Sequence, residues 1–394
     1  MALIRTQVTI VGAGMVGLSL AVALAKGGRD VVVIERQAAK RDIPEQRQIR
    51  VSALSAGSRA WLAELDVWSK IPDERLSPYP KMTVWDRDNN AQIDFNATDA
   101  GLPVLGHIVE NVVVEACLWQ QAEALGVTIL ADVEHATPEY HEQDVTLALN
   151  NGDIVLTQLL IAADGARSVL REQAGTPLVF KDYEQSALVA NIETELPHQQ
   201  VARQAFMPGG PLALLPMPPS ELISIVWSRP PLEAQRLLEL TEQQFNHELT
   251  AASDGCLGML KLASERFTFP LQMRYAERWV YRRLVLIGDA AHTIHPLAGQ
   301  GANLGIGDAR DLATRLGELG TLNGVWDDTE LNRALRGYQR ARKAAAVQQI
   351  ATMEGFHQLF RTDNLLVRKI RRIGLNLTNK QTLLKQLFLE QANK

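Results

Sequence analysis

The stretch GAGMVG at residues 12–17 decides the fold of this chain. The apolar run at residues 3–11 precedes it and predicts a buried β-strand, and the run at residues 18–25 that follows it predicts a helix. A second apolar run, residues 31–34, then ends in Glu35. Strand, glycine-rich turn, helix, strand and acidic residue in this order form the βαβ fingerprint of a dinucleotide-binding fold.

Each glycine of the fingerprint has a separate task in such a fold. Gly12 makes the tight turn after the strand, Gly14 lets the backbone approach a pyrophosphate, and Gly17 allows the helix to pack closely on the strand. The helix N-terminus faces the phosphates, and Glu35 accepts hydrogen bonds from the adenosine ribose. The alternative is a tight turn with no ligand, which the matching strand, helix and Glu35 disfavour.

A second glycine-rich stretch, GDAAHTIHPLAGQGANLG, occupies residues 288–305. The apolar run at residues 284–287 predicts a buried strand of a parallel sheet, so Asp289 is expected at the carboxyl edge, where α/β folds bind ligands. Gly299, Gly301 and Gly305 let the backbone approach a large flat ligand. We predict a helix over residues 302–319, with its first amide groups facing that ligand.

The number of fingerprints bears on which dinucleotide is bound. The chain contains one GxGxxG, whereas stable binding of a flavin and a nicotinamide on separate nucleotide-binding domains would need two. A single fingerprint together with the distant Asp289 loop therefore favours FAD, with Asp289 near a ribityl hydroxyl. An NAD-dependent dehydrogenase is the alternative, and it leaves the Asp289 loop without a task.

The remaining segments complete the predicted architecture. Residues 50–65 are expected to open a helix at Arg50, whose charge is either solvated or directed at the flavin. A strand at residues 159–163 ends in Asp164, read either as a helix cap or as a nucleotide contact. Hairpins are predicted at residues 83–95 and 145–156. Further predicted helices are 231–251 and 332–360.

The fold class predicted is α/β. It combines a Rossmann-like FAD-binding domain that has a parallel sheet, an inserted substrate domain that is a mostly antiparallel β-sheet, and a C-terminal helical region. The predicted boundaries are 1–75, 100–178 and 271–345 for the FAD-binding domain, 76–99 and 179–270 for the substrate domain, and 346–394 for the C-terminal region.

Composition limits the cellular setting. A net charge of −5 disfavours nucleic acid as a partner, and two widely separated cysteines predict a reducing, cytoplasmic location without disulfide chemistry. The sequence indicates no metal-ligand cluster. From Arg361 onward the tail is basic and amphipathic, which suits the inner face of a membrane or a protein partner; packing against its own protein is the alternative.

Three motifs in this order, GAGMVG with Glu35, ADGARS at residues 163–168 and GDAAHTIHPLAGQGANLG, resemble the FAD-dependent aromatic hydroxylases of the p-hydroxybenzoate hydroxylase fold. The last motif, with RVSA at 50–53 and LGHIVEN at 105–111, is similar to the ubiquinone-biosynthesis hydroxylases, and most similar to their 2-polyprenylphenol branch. Ala302 departs from the bulkier residue common there. The cofactor-binding residues predicted from fingerprint and resemblance together are Gly12, Gly14, Met15, Val16, Gly17, Glu35, Arg36, Arg50, Asn111, Asp164, Gly288, Asp289, Pro296, Gly299, Gln300, Gly301, Ala302 and Asn303.

The resemblance implies an activity. NAD(P)H would bind transiently and reduce FAD, the reduced flavin would capture O₂ as a C4a-hydroperoxide, and oxygen would pass to a polyprenylated phenol. No catalytic acid or base is predicted, and His292 and His295 are interpreted as structural. Alternatives are a sister hydroxylase acting on a methoxylated polyprenyl phenol or benzoquinol, and a non-catalytic flavin-binding scaffold. Expected partners are other ubiquinone-biosynthesis proteins, a membrane surface and further copies of the chain.

Overall fold

The computed structural model describes residues 2–87, 91–135, 137–293, 301–322 and 324–361, with side chains to Gly355. In chain order its strands are β1 (Leu3–Val11), β2 (Val31–Ile34), β3 (Val51–Ser55), β4 (Leu76–Tyr79), β5 (Lys81–Asp86), β6 (Ala91–Asn96), β7 (Gly106–Glu110), β8 (Thr128–Leu130), β9 (Glu139–Tyr140), β10 (Val145–Ala148), β11 (Ile154–Ala162), β12 (Leu178–Thr194), β13 (Val201–Phe206), β14 (Leu212–Met217), β15 (Leu222–Arg229), β16 (Leu260–Leu262), β17 (Phe267–Ala276), β18 (Val280–Tyr281), β19 (Leu284–Leu286), β20 (His292–Thr293), β21 (Thr321–Leu322) and β22 (Val325–Trp326). Its helices are α1 (Met15–Lys26), α2 (Ala56–Glu64), α3 (Asn111–Ala124), α4 (Val169–Gln173), α5 (Pro231–Glu239), α6 (Glu242–Ala252), α7 (Gly301–Gly317) and α8 (Asp328–Arg361).

A mostly parallel sheet carries the fingerprint, with the strand order β18-β19-β11-β1-β2-β8. In its register Val11 lies beside both Ile34 and Ala162, and Ala162 lies beside Leu286. The carboxyl ends of β1, β2, β11 and β19 are therefore level, and the segments that follow them meet at one edge. Helix α1 packs against α3 and α7. This arrangement confirms the predicted Rossmann-like, parallel-sheet fold.

A largely antiparallel sheet forms the second layer, with the order β20-β17-β12-β15-β14-β13-β5-β6. Helices α5 and α6 bury one of its faces, where Leu188 and Ile225 pack with Leu237 and Phe245. We call the opposite side, which carries Ala187, Val226 and Leu271, the inner face. The predicted hairpin β5–β6 joins this sheet through β13, while its turn at Asn89-Asn90 lies outside the described residues.

A small sheet of β3, β7 and β4 lies between the two layers. Its residues Ala53 and Ile108 pack against Ala213, Leu215 and Met217 on the inner face. Because β3 begins immediately after Arg50, this packing fixes the position of Arg50 relative to both larger sheets. The division of the chain into domains remains a prediction.

Three predicted elements differ from the structure. Residues 51–55 form a strand rather than the start of a helix, because β3 pairs along its length with β7; the helix begins at Ala56, capped by Ser55. The predicted helix 231–251 is two helices, because Thr241 and Gln244 form a capping box that starts α6. The runs 154–156 and 159–163 belong to one strand, β11, which is continuous because it pairs with β1 throughout.

Helix α8 starts earlier than the predicted residue 332. Asp327 caps it by accepting hydrogen bonds from the backbone amides of Thr329 and Glu330, each at 2.9 Å. The basic tail at residues 362–394 lies outside the described residues. Among the described helices, none combines the length and apolar character needed to cross a membrane.

Candidate active site

The turn after β1 has the geometry that its three glycines predict. Gly12 has φ +109°, and a Cβ there would lie 2.3 Å from the carbonyl oxygen of Ala163. A Cβ on Gly17 would lie 2.1 Å from the carbonyl oxygen of Gly12, so both positions require glycine for packing. Gly14 is different, because a Cβ there would meet no atom within 4 Å. The open space at Gly14 leaves room for a ligand.

The first turn of α1 faces that space. Its N-cap is Gly14, and no side chain caps the helix there. Met15 and Val16 therefore begin a helix whose leading amides and dipole favour an anionic group such as a pyrophosphate. The open space and the uncapped helix start together fit the diphosphate of FAD.

Glu35 lies beside this cradle at the end of β2. Its Oε2 accepts a hydrogen bond from the backbone amide of Ala13 at 2.7 Å, and its Oε1 accepts one from Gln37 at 2.8 Å. These bonds hold the carboxylate against the glycine-rich turn, while each oxygen keeps a lone pair for a ribose hydroxyl. Arg36 is exposed next to it.

Asp164 serves as a helix cap and keeps one oxygen unused. Its Oδ2 accepts hydrogen bonds from Val169 at 2.8 Å and Leu170 at 3.3 Å, the first residues of α4. Its Oδ1 is buried and has no hydrogen-bond partner within the described structure. A buried carboxylate oxygen without a partner is costly, so this atom is suited to accept a hydrogen bond from a bound cofactor.

The second glycine-rich stretch meets the first directly. Gly288 has φ +57°, and a Cβ on it would lie 3.3 Å from Val16 Cγ1. A Cβ on Gly305, in α7, would lie 2.7 Å from Val16 Cγ2. Val16 thus fills the space between the two motifs, and only glycine allows that approach. The structure brings together two segments that the sequence separates by most of the chain.

Asp289 follows Gly288 and keeps an exposed side chain. Burial by the surrounding protein nevertheless raises its pKa, and the electrostatic interactions of Asp289 with His292 and Arg50 partly oppose that shift. Asp289 follows β19, so its exposed side chain lies at the edge where the segments after the parallel strands meet; we call this edge the recess. Arg50 itself is exposed, and its charge opposes the rise in the pKa of Asp289.

A buried charge network holds this turn in place. Asp308 in α7 is fully buried; its Oδ2 contacts His292 Nε2 at 2.5 Å and accepts the Gly288 amide at 3.0 Å, while Oδ1 accepts Arg342 Nε at 2.7 Å. We call Gly288, His292, Asp308 and Arg342 the Asp308 network. Burial opposes the charge on Asp308, but His292 and Arg342 outweigh it and hold its pKa below the ordinary value.

The surroundings of His292 explain its role. Its ring lies 5.0 Å from that of Trp279, and the Tyr338 hydroxyl beside Trp279 donates to the carbonyl of Leu286 at 2.9 Å. His292 is almost fully buried, which leaves it no access to a substrate. It is a structural residue, as its sequence context indicates. Asp308 and Arg342 were not found from the sequence; the available signal was an acid on an otherwise apolar helical face of α7.

Two predicted cofactor residues hold β3 instead of pointing into open space. Asn303 Oδ1 accepts hydrogen bonds from the Ser55 amide at 2.9 Å and the Ser58 hydroxyl at 2.8 Å, and its Nδ2 donates to the Ala53 carbonyl at 2.8 Å. Asn111 Oδ1 accepts from the Ser52 hydroxyl at 2.7 Å. Both side chains therefore fix the strand that follows Arg50.

A second buried ion pair supports the loop before β3. Glu110 is fully buried and accepts two hydrogen bonds at 2.8 Å from Arg75, one to each carboxylate oxygen. Arg47 adds a bond at 3.1 Å and the Gln48 amide one at 2.6 Å. The loop that ends in Arg50 is thus anchored, although the sequence shows it only as polar.

The remaining predicted contacts lie partly beyond the described residues. Gly301 and Ala302 begin α7, and a Cβ on Gly301 would meet no atom within 4 Å. Outside the described residues are Pro296, Gly299, Gln300 and the histidine His295. The contact of each named residue with FAD remains a prediction. The structure adds that the predicted residues within its described part lie at one edge of the parallel sheet or hold strand β3, which leads from Arg50.

The antiparallel sheet borders this recess. Strand β20 pairs with β17 at Tyr275 and Arg274, so the segment after Ala291 crosses directly from one sheet to the other. On the inner face nearby, an apolar cluster contains Tyr183, Ala187 and Leu271 with Val226 and Met273 packed against them. The strand that pairs with the segment after Ala291 therefore also carries part of an apolar cluster, of which Val226 and Met273 are partly exposed.

The fold and this recess define an FAD-binding protein of the flavoprotein monooxygenase class, and sequence comparison agrees. The family model "FAD binding domain" matches residues 5–352. A p-nitrophenol 4-monooxygenase, PnpA, from Pseudomonas putida DLL-E4 has the same fold, with a TM-score of 0.79 over 100% of this chain and 99% of that one at 18% identity.

The most informative sequence relatives identify a narrower family within this class. The chain is 34% identical to 3-demethoxyubiquinol 3-hydroxylase of Escherichia coli K12 over 98% of both chains. It is 32% identical to the mitochondrial ubiquinone biosynthesis monooxygenase COQ6 of Danio rerio, over 98% of this chain and 90% of that one. The chain belongs to the FAD-dependent hydroxylases of ubiquinone biosynthesis. FAD is its cofactor, and NAD(P)H is the co-substrate typical of the family.

Proposed function

We propose that this enzyme hydroxylates the aromatic ring of a polyprenylated phenol in ubiquinone biosynthesis, using NAD(P)H and O₂. The observation that carries the proposal is the meeting of the two glycine-rich motifs at Val16; the antiparallel sheet that pairs with the following segment carries an apolar cluster on its inner face. A flavin held at that edge would face a sheet with apolar side chains. This combination suits an apolar phenol better than a charged metabolite.

The residues divide the work of holding FAD. The amides at the start of α1 and the open space at Gly14 accommodate the diphosphate, and Glu35 accepts hydrogen bonds from the adenosine ribose. Asp164 Oδ1 and Asp289 would accept hydrogen bonds from hydroxyl groups farther along the cofactor, and Arg50 would supply positive charge near Asp289. When bound and reduced, FAD supplies the activation of O₂.

The protein contributes to the ring chemistry by positioning the substrate ring and by excluding water from the site. A phenol activates its own ring, because its oxygen donates electrons toward the carbon that is attacked. The described inner face next to the recess offers apolar side chains, and His292 is committed to Asp308. We therefore assign no catalytic acid or base; the ring is held by packing, which also keeps water from competing reactions.

A second candidate substrate comes from the relatives. The Escherichia coli protein that is 34% identical is named for 3-demethoxyubiquinol, a methoxylated ring that already carries more oxygen. That identity, spread over 98% of both chains, favours a methoxylated polyprenyl benzoquinol as the alternative substrate. Both candidates share the polyprenyl chain and the aromatic hydroxylation, and they differ in the ring.

The test is a direct comparison of the two rings. FAD-loaded enzyme would be given NADH or NADPH with either a 2-polyprenylphenol or 3-demethoxyubiquinol, and the products would be identified by mass spectrometry. We expect NAD(P)H oxidation that yields hydroxylated 2-polyprenylphenol. Product from the methoxylated ring alone would replace the first substrate by the second, and reduction of FAD without any hydroxylated product would reject both.

We also propose that the protein assembles with itself and associates with a membrane surface or with other proteins of the pathway. The membrane or protein association is supported by the basic amphipathic sequence after Arg361, which lies outside the described residues. Deleting the residues after Arg361 should reduce sedimentation with anionic vesicles while the FAD content stays unchanged. Unaltered sedimentation would remove the tail from the proposal, and light scattering of the full chain would give the oligomeric state.

A further inference from the structure

Strand β17 carries two phenylalanines whose exposure contrasts with their position. Phe267 is 47% exposed and Phe269 is 41% exposed, whereas Leu271, two residues further along the same strand, is 1% exposed. Side chains two apart on a strand point to the same face, so all three belong to the inner face. A buried apolar cluster therefore continues outward along β17 as two half-open aromatic rings.

The strand register confirms this continuity. Phe269 lies opposite Ala187, and Phe267 lies opposite Val189, in the antiparallel pairing of β17 with β12. Directly opposed residues point to the same side of a sheet. Ala187 belongs to the apolar cluster with Leu271, and Val189 is buried. The phenylalanines thus form the outer rim of the surface whose inner end borders the FAD recess.

The edge of the sheet is open along this rim. Among the described residues, β20 pairs with β17 only at Arg274 and Tyr275, so β17 is an edge strand from Phe267 to Leu271. Beyond Val189 on β12 comes Asn191, whose Nδ2 contacts the carbonyl of Gln48 at 3.4 Å. The loop before β3 therefore bounds the far end of the exposed apolar strip. We call Val189, Phe267 and Phe269 the β17 rim.

We propose that the β17 rim binds the polyprenyl chain of the substrate as it leaves the ring site. This inference rests on the proposed function, because it concerns a phenol with a long apolar substituent. Such a chain has no polar group, so its binding depends on apolar area removed from water. The β17 rim supplies that area in a strip continuous with the apolar cluster beside the FAD recess.

Continuity with the ring site distinguishes this surface from scattered exposed side chains. Leu232 in α5 is 87% exposed, but α5 packs on the opposite face of the sheet, away from the inner face. Phe267 and Phe269 lie on the same face of one strand as the buried Leu271. Together they form a contiguous apolar patch, and exposed patches of this type often mark binding surfaces. Leu232 consequently provides a matched control for loss of exposed apolar area.

The experiment compares a long and a short substrate on the FAD-loaded full chain. The double variant Phe267→Ser/Phe269→Ser, the control Leu232→Ser and the unmodified enzyme would each be assayed with 2-geranylgeranylphenol and with 2-methylphenol. For the double variant we expect KM for the long phenol to rise about tenfold, with kcat and the KM for 2-methylphenol nearly unchanged. The control should match the unmodified enzyme with both substrates.

Three results would overturn the inference. An unchanged KM for the long phenol would show that its chain binds elsewhere, and equal losses with both phenols would show that the phenylalanines support the fold. A changed oligomeric state in light scattering would instead assign the β17 rim to contact between copies. A binding measurement without turnover separates the polyprenyl-chain site from the proposed reaction. Binding of 2-geranylgeranylphenol would be followed by the change in flavin fluorescence. If binding depends on the β17 rim but the enzyme hydroxylates neither phenol, the proposed reaction is rejected and the polyprenyl-chain site is retained.

Discussion

The two glycine-rich motifs lie in contact, yet they are held in different ways. The turn at residues 12–17 is held by its own strand and helix and by the neighbouring Glu35, and its one close distant neighbour named here is the backbone of Ala163, which packs against Gly12. The turn at Gly288 is fixed by Asp308 and, through it, by Arg342 from α8. The first motif depends on local backbone geometry, and the second depends on a buried charge network assembled from distant segments.

The comparison predicts that the second motif is the more fragile. Asp308→Ala would leave the partly buried Arg342 guanidinium without its carboxylate and the Gly288 amide without its acceptor. Breaking a buried pair by removing one partner costs about 3–5 kcal/mol of unfolding free energy. Chemical denaturation of the apoprotein measures this loss, and FAD content after dialysis should fall with it.

Asp311→Ala is the matched control, because Asp311 lies on the same helix and pairs with Arg315 at 2.7 Å in a partly exposed position. An i,i+4 helix pair that water still reaches contributes about 0.5 kcal/mol. If the two variants lose similar stability, the Asp308 network is not what holds the turn.

The pH dependence of the unfolding free energy gives a further check of the Asp308 network. Since the pKa of Asp308 is held below its ordinary value, its contribution is complete at neutral pH and is lost as the pH falls through the folded-state pKa.

The first motif should separate stability from binding. In Gly12→Ala the new methyl group would meet the Ala163 carbonyl oxygen at 2.3 Å, at a φ that L-residues avoid, so we expect a loss of about 2–3 kcal/mol. In Gly14→Ala the methyl group points into open space, so stability should stay within about 0.5 kcal/mol while FAD affinity falls. Thermal unfolding of the apoproteins and FAD titration measure both effects. Equal destabilisation of the two variants would contradict the assignment of Gly14 to the ligand.

The same contrast explains what could be predicted from the sequence. The strand bounds Leu3–Val11 and Val31–Ile34 were predicted correctly, because local periodicity and glycine spacing determine them. The parallel sheet and the FAD-binding fold followed from the fingerprint. Residues 51–55 were assigned wrongly, because their strand exists only through pairing with β7, about fifty residues away. Pairing between distant segments has no local signature.

The candidate site divides in the same way. The sequence placed Asp289 and Glu35 at the edge of the sheet, because a residue that follows a parallel strand must lie there. It did not reveal Asp308 and Arg342, since their partners are chosen by tertiary packing. Asn303 and Asn111 were predicted as cofactor contacts, and the structure adds that both side chains bind β3. The tertiary structure was needed to show which side chains are already committed to the protein.

Asp289 should differ from Asp308 in one more respect, because the substitution Asp289→Asn is expected to raise stability and to weaken FAD binding. Burial raises the pKa of this carboxyl, which means that the ionised form is disfavoured in the folded apoprotein at neutral pH, and that lowering the pH through the folded-state pKa relieves the cost. Asp289→Asn removes the charge while keeping the shape. The apoprotein should therefore melt slightly higher at neutral pH, by a degree or so, and lose this advantage under acidic conditions, whereas FAD affinity should fall because the amide oxygen is a weaker acceptor. Glu277→Gln, on the nearby connection from β17 to β18, changes an exposed carboxylate in the same way and should alter neither property. A melting temperature that drops in Asp289→Asn would mean that this side chain supports the turn, as Asp308 does, and the functional difference between the two aspartates would disappear.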